Sequence, residues 1–447
     1  MQTDLIILGA GHAGMSAAIS ALNRGLKVTL IDKNTPGEGF NFDLQDGKVA
    51  TISLLSETNT AITSGPSIWM DPGIKDLFSH HYLEFVKGWG RVARSNTVEV
   101  AGNTYSARKL IIATGSEAYL EPANTFANTY LYNEDALPPV SDLSQGVVIA
   151  GGGEYACLIA EAYSSMGIVT NLVVPGAVLL EEFESEVSDL LRDSYAKLGI
   201  GLYLNSSLVS ATKVADAEGP IKVRLNDTTV LMTSAIISTG TRRGQTDGMG
   251  LESIGCATDE RGFVKVNRRL QSSRTGIFCA GDVTGMLLGP VSAREMGRIA
   301  VSQAFDRSPV SHFNPMQTAR VVPTTPLVAA IGRKEGNAPR KSSKVEKVAF
   351  EELPSPRFAP ASTGFVKLVT APRPFARRLG GGRLIGATIV GNTADEMMAE
   401  LALIIRRKLP IGAIVENLRP TRSLSYSVEL AARRILEYSG SQRSKDD

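Results

Sequence analysis

Cysteine is scarce. The chain holds three in 447 residues, Cys157, Cys256 and Cys279, and the closest pair is 23 positions apart. That spacing excludes a disulfide-stapled scaffold, a C-x-x-C redox pair and a cysteine-rich zinc site. The four histidines, His12, His80, His81 and His312, do not fall at metal-ligand spacing. No apolar run approaches the roughly 18 residues that a membrane-spanning helix needs. One-sided charge is also missing: 47 Lys and Arg oppose 45 Asp and Glu, a net charge of +2, which leaves no electrostatic footprint for nucleic acid. The start, MQTDLIILGAG, has no basic leader and carries Asp4, so it does not read as a signal peptide. The expectation is a cytoplasmic protein with no membrane span and no nucleic-acid partner.

What the chain does have is glycine, 43 residues of it, in clusters. Its length predicts two to four domains at roughly 100–200 residues each. Asp4–Leu8 is a short apolar run. It is followed by GAGHAG, a helical pattern (MSAAISALNRG) and a β-branched run (KVTLI) ending at Asp32. This is the grammar of a parallel strand–helix–strand crossover. The same grammar returns at Gly146, where GVVIA leads into GGGEYACLIAEAYSSMG and then VTNLVV. Two such units predict two nucleotide-binding folds. Glu181–Leu198 reads as an amphipathic helix with Leu190, Leu191, Tyr195 and Leu198 on one side, and strands follow to Ile237. Lys334–Pro360 reads as a boundary loop and an edge strand. GFVKLVTA and LIGATIVG then read as strands, Ala394–Lys408 as a long helix, and the tail from Gly440 as disordered.

The first glycine cluster has a definite chemistry. Gly9 permits a tight turn, Gly11 lets a pyrophosphate approach the backbone, and Gly14 lets the helix pack on the strand. The helix N-terminus favours phosphate charge, and His12 and Ala13 lie in the glycine loop near the expected pyrophosphate, His12 either tuning charge there or contributing its backbone alone. Asp32 lies 18 residues beyond Gly14 at a strand end, where an acid binds ribose hydroxyls, with Lys33 beside it. Gly151 and Gly153 repeat the turn in the second unit, with Glu154 next. Cys279 in TGIFCAG reads as a packing residue and Cys157 likewise. His80 and His81 read as part of a solvated or interface helix, and Arg377-Arg378 as a solvated hairpin.

Two further signals make the reading more specific: IIATG at Ile111–Gly115, containing Thr114 and Gly115, and Gly281-Asp282 about 170 residues later. Together with GLESIGCATDERGFVKVNRRLQSSRTGIFCAGDVTG, VVPTTPLVAAIG and LIGATIVGNTADEMMAELALIIRRKL, they run through the whole chain in order. In this the chain resembles the class I pyridine nucleotide-disulfide oxidoreductases, which include dihydrolipoamide dehydrogenase and glutathione reductase. The resemblance implies an α/β fold: two Rossmann-like doubly wound domains and an α+β dimerisation domain. It implies an FAD domain at 1–144 and 268–313, an NAD(P)-binding-like domain at 145–267 and a dimerisation domain at 314–440. It also implies a homodimer, FAD held in part by Asp282, and NAD(P)H as the donor.

The departures from the family pattern matter as much. Where the family carries C-x4-C after the ribose acid, this chain has PGEGFNFDLQDGKVA, with Gly39 and Leu44 at the two cysteine positions. Lys48 keeps the position that sits beside the flavin in the family. Where the family supplies a His–Glu relay, this chain has RPTRSLSYSVE, with Arg419 in place of the His. Arginine is no general base at neutral pH. In the second glycine turn Glu154 and Leu158 replace a Tyr and a Glu, and Val174-Pro175 stands where a ribose-reading residue belongs. The expectation is an FAD-dependent oxidoreductase without a redox disulfide. It would pass electrons from NAD(P)H through FAD to a quinone, another small molecule or a protein partner, with Lys48 and Arg419 as catalytic candidates. Arg419 is expected to offer its guanidinium to an anionic acceptor, and Glu154 to meet Lys48. The alternatives are a flavin-containing, non-catalytic or complex-bound subunit whose second Rossmann fold is kept for structure with a degenerate nicotinamide site, and a protein that is dihydrolipoamide dehydrogenase-like by homology only.

Overall fold

The computed structural model describes residues 2–34, 80–119, 131–214, 220–309, 311–339, 343–353, 363–372 and 382–441. Lys48, Gly39, Leu44 and the Arg377-Arg378 hairpin lie outside these residues. The chain divides into two compact units, 1–125 with 132–142 and 241–315, and 126–131 with 143–240 and 316–447.

The first unit is built on a parallel sheet. The strand Gln2–Leu8 pairs in parallel with Val28–Asp32 on one edge and with Asn103–Ile112 on the other, and Leu83–Lys87 extends the sheet beyond Val28–Asp32. The ten-residue strand Asn103–Ile112 serves two neighbours on its far edge. Its first half pairs antiparallel with Thr97–Val100 and its last three residues pair in parallel with Ile277–Cys279. The later segment thereby returns to the first sheet. Runs such as Leu5–Leu8 are fully buried on both faces, the signature of a central parallel strand covered by helices. His12–Leu22 packs against Pro290–Phe305 through small residues. A Cβ on Gly297 would lie 2.2 Å from the Ala13 carbonyl oxygen.

The second unit carries the second crossover and the C-terminal sheet. Gly201–Tyr203, Thr170–Val173, Val147–Ala150 and Ala235–Ser238 lie side by side in parallel. The C-terminal sheet runs, in order, Arg320–Val322, Val328–Gly332, Arg383–Val390, Phe365–Ala371 and Lys344–Ala349, antiparallel throughout. Ala394–Arg407 covers it with Met398, Leu401, Ile404 and Ile405 on one stripe.

Four sequence expectations need correction. Residues 241–267 belong with the first unit rather than with the second glycine turn, because Arg242–Gly244 pairs with Ser116–Ala118. The amphipathic helix is Ser185–Lys197, its buried face is Val187, Leu191 and Tyr195, and Leu198 lies just past its end at 40% exposure. His80 and His81 lie in a turn before Leu83–Lys87, not in a helix. The last helix, Tyr426–Ser441, runs through Gly440.

Candidate functional site

The first glycine turn is shaped by sterics. Gly9 has φ of +104°, and a Cβ there would lie 2.2 Å from the Ala113 carbonyl oxygen, so the turn crosses directly over the end of the neighbouring strand. A Cβ on Gly14 would lie 1.8 Å from the Gly9 carbonyl oxygen. Gly11 caps the helix with an extended backbone, leaving the N–H groups of the first turn at the mouth. His12 opens that helix. Burial, aided by the Arg294 guanidinium, lowers its imidazole to about 4, so it is neutral at pH 7.

Asp32 closes the strand beside this turn. It accepts the Ala10 N–H at 2.5 Å and the Asn34 N–H at 2.8 Å, which fixes the carboxylate against the loop. A cleft opens here between Gly9, Asp32, Lys33, Trp89, Thr114 and Gln245. The Lys33 ammonium lies 5.2 Å from the Trp89 ring centroid. Thr114 donates its hydroxyl to the Gln245 carbonyl at 2.7 Å, and Gln245 returns its N–H to the Gly115 carbonyl at 3.0 Å. Gly281 brings Asp282 to the same helix: its φ is +80°, and a Cβ there would lie 2.8 Å from the Ala13 Cβ. Asp282 accepts the Gly289 N–H at 3.1 Å, and burial raises its carboxyl above the usual range, against the opposing pull of that N–H and of Arg242.

Gly9, Gly11, His12, Ala13, Gly14, Asp32, Lys33, Thr114, Gly115, Gly281 and Asp282 therefore fall around one turn. A cradle without Cβ atoms, a helix N-terminus and two carboxylates at its borders fit a dinucleotide such as FAD. Trp89, Gln245 and Arg242 were not singled out from sequence. Trp89 is flanked by Gly88 and Gly90, a local signal of an aromatic held in a tight turn. Arg242 is buried against Glu134 and Asp135 at 3.2 and 3.0 Å and against Ser116, contacts that no local pattern announces.

In the second turn Gly151 has φ of +137°, and a Cβ there would lie 2.3 Å from the Thr239 hydroxyl. Gly153 caps the helix with open space at its Cβ position, so a phosphate has room to approach. Glu154 is the first residue of that helix, and its carboxylate lies 3.8 Å from Arg320. The expected meeting of Glu154 with Lys48 lies outside the described residues.

One candidate role changes, that of Arg419, while the packing reading of the cysteines stands. Cys157 is fully buried, and burial pushes its thiol up to about 12, so it supplies no thiolate. Cys256 and Cys279 are likewise buried and free, with thiols raised by burial. Arg419 does not present a free guanidinium. Its side chain is 5% exposed, salt-bridged to Glu400, and donates to the Ile414 carbonyl at 2.7 Å and the Asn417 carbonyl at 3.1 Å. A buried guanidinium satisfies its own donors first, and acids and carbonyls of its own segment were nearest.

Comparison with known proteins agrees with this geometry. The family description "Pyridine nucleotide-disulphide oxidoreductase" matches residues 3–305, and its dimerisation domain matches residues 318–431. The chain is 26% identical to a dihydrolipoyl dehydrogenase of Thermus scotoductus, over 96% of each chain. It is 28% identical to a glutathione reductase of Burkholderia cepacia, covering 91% of this chain and 93% of that one. It is 25% identical to an NAD(P)H dehydrogenase (quinone) of Mycobacterium tuberculosis, covering 98% and 95%. Its fold is shared with the HOCl-induced flavoprotein disulfide reductase RclA of Escherichia coli, at a TM-score of 0.78 and 18% identity, covering 96% of this chain and 99% of that one. On the strength of both domain matches, the chain belongs to the pyridine nucleotide-disulphide oxidoreductase family.

Proposed function

We propose that this protein is an FAD-dependent oxidoreductase that takes electrons from NAD(P)H and delivers them to an acceptor other than a disulfide, such as a quinone, another small molecule or a protein partner. Family members bind FAD and NAD(P). When bound, FAD supplies the redox chemistry, and the protein supplies orientation and charge. The observation that carries the reading is the state of the thiols. All three cysteines are buried and free, and the stretch from Pro36 to Lys48 contains none. A dithiol relay needs a reactive thiolate pair, and burial works against thiolate formation at each of these cysteines.

The chain's own groups support flavin binding at the first turn: the first-turn N–H groups for the pyrophosphate, Asp32 for ribose hydroxyls, Asp282 for the flavin's polyol chain, and neutral His12 as a further donor. Lys48 is assigned the charge beside the flavin ring. The naming of one relative as an NAD(P)H dehydrogenase (quinone) is consistent with a non-disulfide acceptor. The test is an anaerobic titration of the yellow, FAD-loaded protein with NADH and NADPH, followed by turnover assays. Flavin bleaching and turnover with a soluble quinone, without turnover of lipoamide or glutathione disulfide, is the expected result. Robust lipoamide turnover by the wild type overturns the reading.

A further inference from the structure

The two glycine turns differ in charge. The first turn of the helix after Gly11 carries no acid, whereas the helix after Gly153 begins on Glu154. The Glu154 carboxylate lies 3.8 Å from the Arg320 guanidinium. The same guanidinium is salt-bridged to Glu182 and lies 5.0 Å from the Phe183 ring centroid. Two carboxylates thus share one cation beside a helix N-terminus. The group is half-solvated, with side-chain exposures of 34% for Glu154, 28% for Arg320 and 61% for Glu182.

The surroundings narrow what this cluster does. The strand Thr170–Val173 ends on buried Val174 and exposed Pro175, so the usual ribose-reading position offers neither an acid nor a cation. The Leu180 N–H bonds to the Gly152 carbonyl at 2.8 Å, which ties the loop carrying Glu182 to the glycine turn itself. Arg320 opens a strand that is paired residue by residue with Val328–Gly332, so its backbone is held in register. Glu154 stands at the helix N-terminus where a nucleotide diphosphate would sit, and its carboxylate opposes that charge.

We propose that Arg320 is an affinity-determining binding residue for the nicotinamide nucleotide, its guanidinium passing from Glu154 to the diphosphate as the nucleotide binds. The inference rests on the nicotinamide reading given under the proposed function. A guanidinium has five N–H donors in a planar fork, so it keeps one carboxylate, Glu182, while engaging a phosphate. Glu154 is the competitor. The strength of its pairing with Arg320 sets nucleotide affinity, and the missing ribose-reading residue makes that charge balance decisive.

The experiment uses the full-length, FAD-loaded protein. Binding of NAD+ and NADP+ is measured by calorimetry at low and high salt, and FAD content and thermal midpoint report folding. Glu154→Gln should tighten binding by about threefold, the effect of removing one half-screened like charge. Arg320→Ala should weaken it by about tenfold at low salt, with the difference shrinking as salt rises, and Arg320→Lys should recover part of the loss. Affinities of Glu154→Gln and Arg320→Ala within about twofold of wild type overturn the inference and leave the function reading intact. If neither NAD+ nor NADP+ binds, and neither NADH nor NADPH bleaches the flavin, in wild type or in Glu154→Gln, while dithionite does bleach it, both are overturned.

Discussion

His12 shares the mouth of its helix with Arg294, and its charged form is both desolvated and repelled, which is why it titrates at about 4 rather than 6.5. A histidine whose folded-state value is lowered contributes stability that is full above the unfolded value and is lost as pH falls. Between about pH 6.5 and 4 the unfolded chain binds a proton that the folded chain refuses. The flavin-free protein should therefore lose about 3 kcal/mol across that window, and His12→Asn should lose that much less. Denaturant unfolding at pH 7, 5.5 and 4 checks this, and parallel curves for the two proteins would contradict it. Asp282 is the other informative residue. Its carboxylate is held beside the glycine turn by Gly281, and Asp282→Ala should weaken FAD retention by about tenfold, read as flavin absorbance per chain after dialysis. These two positions were readable from sequence because a glycine turn restricts its neighbours to few geometries. Trp89, Gln245 and Arg242 were not, because Trp89 and the segment Arg242–Gln245 reach their places from parts of the chain far from the glycine turn.

At the scale of elements, the acidic run from Glu181 to Glu186 organises the second unit. It holds three cations from the C-terminal segment. Arg320 meets Glu182, Lys334 donates to the Glu181 carbonyl at 2.7 Å, and Lys367 meets Glu184 at 3.2 Å and Glu186 at 2.8 Å. Lys367 also pairs with Glu335, and its side chain is 4% exposed. Strand alternation explains its placement. Val366 and Leu368 face the helix-covered core, so Lys367 points to the opposite side of the sheet, into the acids. Burial opposes its charge, but the glutamates outweigh that and raise its ammonium well above the usual lysine value. Lys367→Met leaves buried Glu184 without its cation and should cost about 3 kcal/mol, measured by chemical denaturation. A loss below about 1 kcal/mol would mean that the acids find other partners. The strand GFVKLVTA was legible as a strand. The partners of its lysine were not, because two of the three, Glu184 and Glu186, lie more than 180 residues away in sequence.

For the whole molecule, the dimerisation-domain match at residues 318–431 leads us to expect a homodimer, and light scattering at micromolar concentration should report twice the mass of 47.6 kDa. A monomer would contradict this expectation. The sequence by itself determined the two crossover units, the placing of Asp32 and Asp282 beside glycine turns, and a stretch from Pro36 to Lys48 without cysteine. All of these are local: they depend on residue type, short-range spacing and the few backbone conformations that glycine turns allow. Only the tertiary structure decided that Arg419 is consumed by Glu400, that Glu154 meets Arg320, that Cys157 is too deeply buried to form a thiolate, and that residues 241–267 join the first unit. Charge pairing and burial depend on which distant segments come within a few ångströms of each other. One-dimensional spacing carries no such distance, so two carboxylates with the same local context can end on different partners.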